Sequence, residues 1–324
     1  KEAIKRRTVE LEQKNRELQI ETALERIRAQ VAAMKDSADL LDIVVTMRTE
    51  FVSLGHEAHY FWHMRWLPDH YEKAMTSGDG TRIGMVMTLP RHIHGDIKQV
   101  ADWEKGKDAT HILAMDVNEA VDYVDKMITL GDFEQVDPQA PTLDDVRHIG
   151  GLTFVMARTT HGEIGFSLPG KQTNVPKDDL NTLVRFASVF DLAYKRFEDL
   201  KAAERQHREA QIELALERVR ASAMSMQRPS DLQEVIHTVH QELLKLEITI
   251  SGGSFIVINR EIDREIVCWG SGGTADTSDE IHIPYIDKPF YTNLVNIIKS
   301  GPGFFTEEYT QKEKKEKEKL RKTQ

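Results

Sequence analysis

The ten residues IETALERIRA, Ile20–Ala29, return almost unchanged as IELALERVRA, Ile212–Ala221, 192 positions later. Around the first copy, Ile20, Leu24, Ile27, Val31, Met34, Ala38 and Leu41 recur in alternating steps of four and three. That is the a/d spacing of a heptad seam, an apolar stripe that stays exposed unless another helix covers it. Ile212, Leu216, Val219, Ala223 and Met226 repeat the seam, and about half of the positions from Ile20 to Leu40 are identical in the copy. A duplicated unit of helix plus domain explains this better than chance. The cheapest cover for the seam is the same helix of a second chain, so a parallel homodimeric coiled coil is expected; antiparallel packing within the chain is the alternative. Leu11 and Leu18 lie outside this frame, which predicts a register shift near Leu18.

The pattern changes between the copies. HYFWHMRWLP (59–68) alternates as a strand, with His59, Phe61, His63 and Arg65 on one face and Tyr60, Trp62, Met64 and Trp66 on the other. A turn at Gly78-Asp79-Gly80 joins two further strand-like runs, and two amphipathic helices follow, the second carrying Val117, Ala120, Val121, Val124 and Ile128 near one face. Leu152–Leu168 reads as a hairpin turning at Thr160-His161-Gly162. From Pro176 a helix starts with two aspartates in its first turn and meets no Gly or Pro before Pro229. At 1.5 Å per residue such a rod is about 75 Å long, so it must leave one domain and enter the next. A second domain starts near Ser230 and lacks a counterpart of the Leu152–Leu168 hairpin; it reads as partial. The tail TQKEKKEKEKLRKTQ (310–324) reads as a solvated charge run.

The 324 residues carry a net charge of −10, which supplies no general attraction to nucleic acid or an anionic membrane. A single cysteine, Cys268, excludes a disulfide framework and a four-thiolate zinc site. No apolar run approaches the roughly 18 residues of a membrane span. The chain opens on Lys1 and reads as a piece of a longer polypeptide, cytoplasmic in location, with any membrane segment lying outside it.

The order of elements, the words IExALERxRAxxxxM, the preceding FDLAYKRFEDLKAAERQHREAQ and the opening RRTVELEQKNRELQIE resemble GAF-like sensory domains joined by coiled-coil signalling helices, as in large bacterial sensor histidine kinases and related signalling proteins. The resemblance covers most of residues 8 to 309. It implies an α+β fold of antiparallel sheets flanked by helices, linked by long parallel coiled-coil helices. It divides the chain into a signalling helix (1–53), a GAF-like domain (54–190), a connecting helix (191–229) and a partial GAF-like domain with a charged tail (230–324). It implies a non-enzymatic role in two-component-type signal transduction: a small ligand or partner is sensed and the change relayed through dimeric helices. Which cofactor, if any, is held is unknown. His207, in RQHREAQ, does not match the phosphoacceptor box of such kinases; no GGDEF-like or Walker-type stretch appears, and Cys268 does not match the bilin-holding cysteine of phytochromes.

Two histidine clusters offer metal or anion chemistry. His59 and His63 share a strand face but stand about 13 Å apart along it, too far to hold one ion with His56 nearby. In RHIHGD, Arg91, His92 and His94 precede Asp96; if the segment is extended, His92 and His94 point the same way about 7 Å apart and suit a shared ion or anion. Asp96 as a cap for the next helix is the plainer reading. Trp62, Trp66, Phe154 and Phe166 lie on strands of one sheet, and a pocket lined by them suits a flat organic ligand, with core packing as the alternative. Arg158 and Glu163 flank a hairpin turn as surface charges. The candidate ligand residues are therefore Trp62, Arg91, His92, His94, Phe154 and Phe166. A metal-dependent enzyme built on His92 and His94, and a purely structural dimerisation scaffold, are the competing readings.

Overall fold

A computed structural model of the chain describes residues 2–250, 253–272, 281–285 and 289–308. The chain begins with α1 (Glu2–Ala33), α2 (Asp39–Ser53), β1 (Phe61–Trp66), β2 (His70–Thr76), β3 (Ile83–Pro90), α3 (His92–Gly95) and α4 (Lys98–Lys105). It continues with β4 (Thr110–Met115), α5 (Val117–Leu130), β5 (Asp132–Gln135), α6 (Leu143–His148), β6 (Leu152–Thr159), β7 (Gly162–Pro169) and α7 (Lys177–Ser225). Last come α8 (Leu232–Lys245), β8 (Ser254–Arg260), β9 (Glu265–Ser271), β10 (Ile281–Pro284) and α9 (Pro289–Lys299). Contacts divide the chain into two units, Lys1–Arg205 and Gln206–Gln324. No described helix is long and apolar enough to cross a membrane. The charged run 310–324 lies outside the described residues.

The first unit is α+β. Its seven strands form an antiparallel sheet in the order β4-β6-β7-β1-β2-β3-β5. Period-2 alternation sends Phe61 to one face and Trp62 and Met64 to the other. On the Phe61 face, α1, α2 and the first part of α7 bury Leu24, Ile27, Val44, Met47, Phe51, Phe186 and Phe190. On the Trp62 face, α3, α4, α5 and α6 contribute Ile93, Val100, Trp103, Ala120, Tyr123, Val124 and Val146. Two helices begin at side-chain caps: at α5 Asp116 accepts from the amides of Asn118 and Glu119, and at α6 Thr142 forms a reciprocal box with Asp145.

In the second unit β8, β9 and β10 form an antiparallel sheet in the order β10-β9-β8. Ile236 of α8 packs on Val267 and Trp269. Local bonds of the two copies recur at the same offset of 192. Asp39 accepts from the amides of Lys35 and Asp36 at 2.7 and 3.3 Å; Asp231 accepts from those of Gln227 and Arg228 at 2.8 and 2.9 Å. Arg26 pairs with Glu50 at 3.1 Å, and Arg218 with Glu242 at 2.9 Å. Arg16 donates to the carbonyl of Leu54, as Arg208 does to that of Leu246.

The helices depart from expectation. The seam does not continue through Ala38: α1 stops at Ala33 and a turn sends the chain back as α2. The first seam is covered by its own chain, since Ile20, Leu24, Ile27, Val31 and Met34 are all buried against α2, α7 and the sheet. The apolar residues of α1 that stay exposed, Ile4, Val9, Leu11 and Leu18, lie before this stripe. The covering helix α7 runs parallel to α1, not antiparallel: Arg16 pairs with Asp178, Glu17 with Arg185, the Met34 carbonyl accepts from Arg196, and Ser37 donates to Glu204. The residues read as a separate signalling helix, 1–53, therefore supply part of this unit's core. In the second copy Ile212, Leu216 and Met226 are exposed, while Val219 and Ala223 are partly so.

Candidate functional site

On the Trp62 face the sheet, α5 and α6 enclose a cavity of about 440 Å³, within the range typical of small-molecule sites. Trp62, Met75, Met85, Val124, Met127 and Phe154 line its apolar wall. Gly165, paired with Trp62 across β1 and β7, makes the wall possible: a Cβ there would lie 2.6 Å from the indole. Phe154 meets the indole edge-on at a centroid distance of 5.1 Å.

Two buried charged side chains stand on this apolar face. Met64 pairs with Lys73 on one side and Glu163 on the other, which sets Lys73, Met64 and Glu163 in one row. Lys73 lies over the Trp62 ring, its Nζ 4.2 Å from the centroid. Burial pulls its ammonium down to about 8, against the opposing pull of Glu163. Glu163 accepts from the Trp62 indole N–H at 3.0 Å, and its Oε2 has no hydrogen-bond partner. Burial raises its carboxyl, outweighing the charges of His94 and Lys73 and the indole bond. Glu163 is thus no surface charge, because the β7 register turns it inward. Arg158 is likewise engaged: it donates to the carbonyls of Trp103, Glu104 and Asp108 and lies over the Trp66 and Trp103 rings.

A second polar group centres on Glu104. It accepts from Tyr71 at 2.7 Å and from Arg91 at 2.8 Å, and His94 Nδ1 lies 3.4 Å away. Burial alone would raise the Glu104 carboxyl, but the approach of His94, the hydrogen bond from Tyr71 and the charge of Arg91 outweigh it and lower it. His94 also meets the Tyr123 hydroxyl at 3.1 Å.

The structure separates residues that the sequence grouped. Trp62 and Phe154 line the cavity together. Phe166 points to the opposite face, where its ring packs 4.9 Å from Phe51. Arg91 and His94 belong to the Glu104 cluster. His92 is exposed beside a separate cleft with Asp96 and Lys126. The segment is helical, so residues two apart diverge by about 200° and His92 and His94 do not share an ion in this geometry. Asp96 closes α3 instead of capping α4, which starts after Ile97 without a side-chain cap. His56 is buried beside Asp179 at 2.7 Å, and His63, pushed down to about 4 chiefly by burial, packs on Phe190. No group of three metal-ligating side chains occurs among the described residues. Sequence reading passed over Lys73, although the inward phase of Tyr71 and Met75 in HYEKAMT also places residue 73 inward.

The chain is similar to a bacteriophytochrome. That protein, RpBphP3 from the photosynthetic bacterium R. palustris, aligns with 11% identity and a TM-score of 0.42, over 88% of this chain and 54% of the other. The chain thus spans about half the length of that structure. No family model and no curated protein matches the chain.

Proposed function

We propose that this chain is a sensory, signal-transmitting region of the GAF-like type within a multidomain bacterial signalling protein, without catalytic activity of its own. The cavity under Trp62 and Phe154 carries the reading: it is mainly apolar and built on strands whose other face holds α1, α2 and the first part of α7. Ligand entry would shift Trp62 and Met64 on one side of β1, and α1, α2 and α7 pack on the other side of that strand. Packed interiors transmit such displacements because they leave no slack. As α7 runs unbroken from Lys177 to Ser225, it belongs to both units and is the element that relays the change. The exposed Ile212, Leu216 and Met226 support a homodimer through the second copy, the first being covered already.

A thermal-shift screen of the whole chain against nucleotides, haem, divalent metals and small aromatic acids and alcohols tests the sensing role. A hit that stabilises the wild type and is lost in the cavity-filling Val124→Trp variant supports the reading. Hits that survive that substitution, or no hit at all, overturn it. Sedimentation equilibrium tests the dimer: Leu216→Asp is expected to yield monomers, and a monomeric wild type removes that part of the proposal.

A further inference from the structure

Lys73 combines a charge, deep burial and an open apolar space in front of it. It is 3% exposed, its ammonium faces aromatic rings, and no hydrogen bond or ion pair of it occurs among the described residues. The β1–β2 register fixes its direction, since Lys73 and Met75 lie opposite Met64 and Trp62 on the cavity face. Its ammonium is 4.2 Å from the Trp62 centroid and 5.4 Å from that of Phe154, and all three residues line the cavity. Ring faces attract a cation but supply no acceptor for its N–H groups. Glu163 acts on the ammonium from across β1 without forming an ion pair with it: its Oε1 accepts from the indole, its Oε2 stays without a partner, and burial favours its uncharged form.

The remaining lining argues for one charge only. Met75, Met85, Val124 and Met127 offer dispersion contacts and no hydrogen bonds. Of the other charged or chargeable lining groups, Asp145 is held in its reciprocal box with Thr142 and His59, half-exposed, lies 3.6 Å from Glu57; Tyr60 and Ser167 add only neutral hydroxyls. An unpaired ammonium in such a wall is costly, and an apolar side chain would pack better. A carboxylate arriving from the cavity would supply the missing counter-ion and acceptor together.

Resting on the reading of this space as a ligand pocket, we propose that the cavity takes a flat, apolar monocarboxylate, its carboxylate paired with Lys73 and its body lying between the Trp62–Phe154 wall and Val124 and Met127. A dicarboxylate or a phosphate ester would bring in charge that this wall cannot match, and a neutral ligand would leave Lys73 unpaired.

The test is calorimetric titration of the whole chain with indole-3-acetate and its neutral analogue indole-3-ethanol, in wild type, Lys73→Met, Lys73→Gln and Val124→Trp. The acid is expected to bind wild type at least tenfold more tightly than the alcohol. Both Lys73 variants are expected to bring the acid to the affinity of the alcohol while leaving the alcohol within about twofold of its wild-type value, and Val124→Trp is expected to abolish both. Equal affinities in wild type, or full acid preference in the Lys73 variants, overturn the role of Lys73 and leave the pocket standing. Failure of both compounds to bind wild type, or binding that survives Val124→Trp, overturns the pocket and with it this proposal.

Discussion

Ile20–Met34 and Ile212–Met226 carry the same seam in different surroundings. Leu24 is 2% exposed and its counterpart Leu216 is 42% exposed; Met34 is 3% exposed and Met226 38%. Helix propensity cannot explain the gap, because both stretches are helical and share caps and ion pairs at matched positions. The cover differs. In the first unit Phe186, Phe190 and Tyr194 of α7 lie against the seam together with α2 and the sheet. The next helix behaves alike in both copies: Ile43 and Val44 of α2 are buried, and so are Val235 and Ile236 of α8. One face of the duplicated pair therefore finds its sheet in each unit, while the seam finds a full cover in the first only. A heptad stripe specifies that something apolar will lie on it; it does not specify whether the partner is another chain or a distant part of its own.

The strongest way to break this comparison is to place a charge at matched seam positions. Leu24→Asp is expected to cost about 4 kcal/mol or more and to unfold the first unit, because it buries an unpaired carboxylate. Leu216→Asp is expected to cost about 1 kcal/mol in the unit itself and to act on self-association instead. Urea unfolding at two protein concentrations separates the two, and equal losses at both sites would end the distinction.

Next in size is a change confined to the first unit. Lys73→Met is expected to stabilise that unit by roughly 3 kcal/mol at pH 7, the worth of a folded-state value near 8 against an ordinary 10.5. A base held low favours its neutral form in the folded state. The penalty is therefore complete below pH 8, shrinks between 8 and 10.5 and vanishes above. Thermal melts across that window are expected to show the gain of the variant fading as pH rises, with the transition of the second unit unmoved.

The matched caps sharpen the comparison from the other direction. Asp39 and Asp231 are both held below the usual aspartate value by two backbone amides each. Their stabilising contribution is complete above the ordinary value of 3.8 and is lost as pH falls through the lowered one. Carboxyl NMR titrations are expected to give depressed values at both sites; a normal value at Asp231 alone would mean that the local geometry is not shared. Smallest of all, Arg26→Ala is expected to cost about 1 kcal/mol in chemical denaturation, since the guanidinium is mostly exposed but Glu50 is nearly buried, and Arg218→Ala no more, because Lys245 still pairs with Glu242.

Much of the fold was legible. The alternation in HYFWHMRWLP separated the two faces of β1, the turn at Gly78–Gly80 and the Leu152–Leu168 hairpin marked their strand pairs, and the helix from Pro176 was evident. The break at Met34–Ala38 was not, since DSAD continues the apolar phase into α2 while Asp39 ties back the amides of Lys35 and Asp36. The candidate site was half legible: aromatic alternation pointed to Trp62 and Phe154, yet Phe166 had the opposite phase and RHIHGD proved helical. Lys73 and Glu163 were missed because their significance comes from lying either side of Met64 on three strands.

By itself the sequence determined what neighbours along the chain decide: that a long helix follows Pro176, which stripe is apolar and which residues of β1 share a face. These follow from hydrogen bonds and periodicities spanning a few residues, and so the stripe recurs in both copies. Only the tertiary structure decided what meets each stripe and each face. Phe186 stands 162 residues beyond Leu24, and Glu163 stands 90 beyond Lys73. Burial, and with it the energy of a seam or the charge state of a lysine, is set by residues that distant, which chain folding alone brings together.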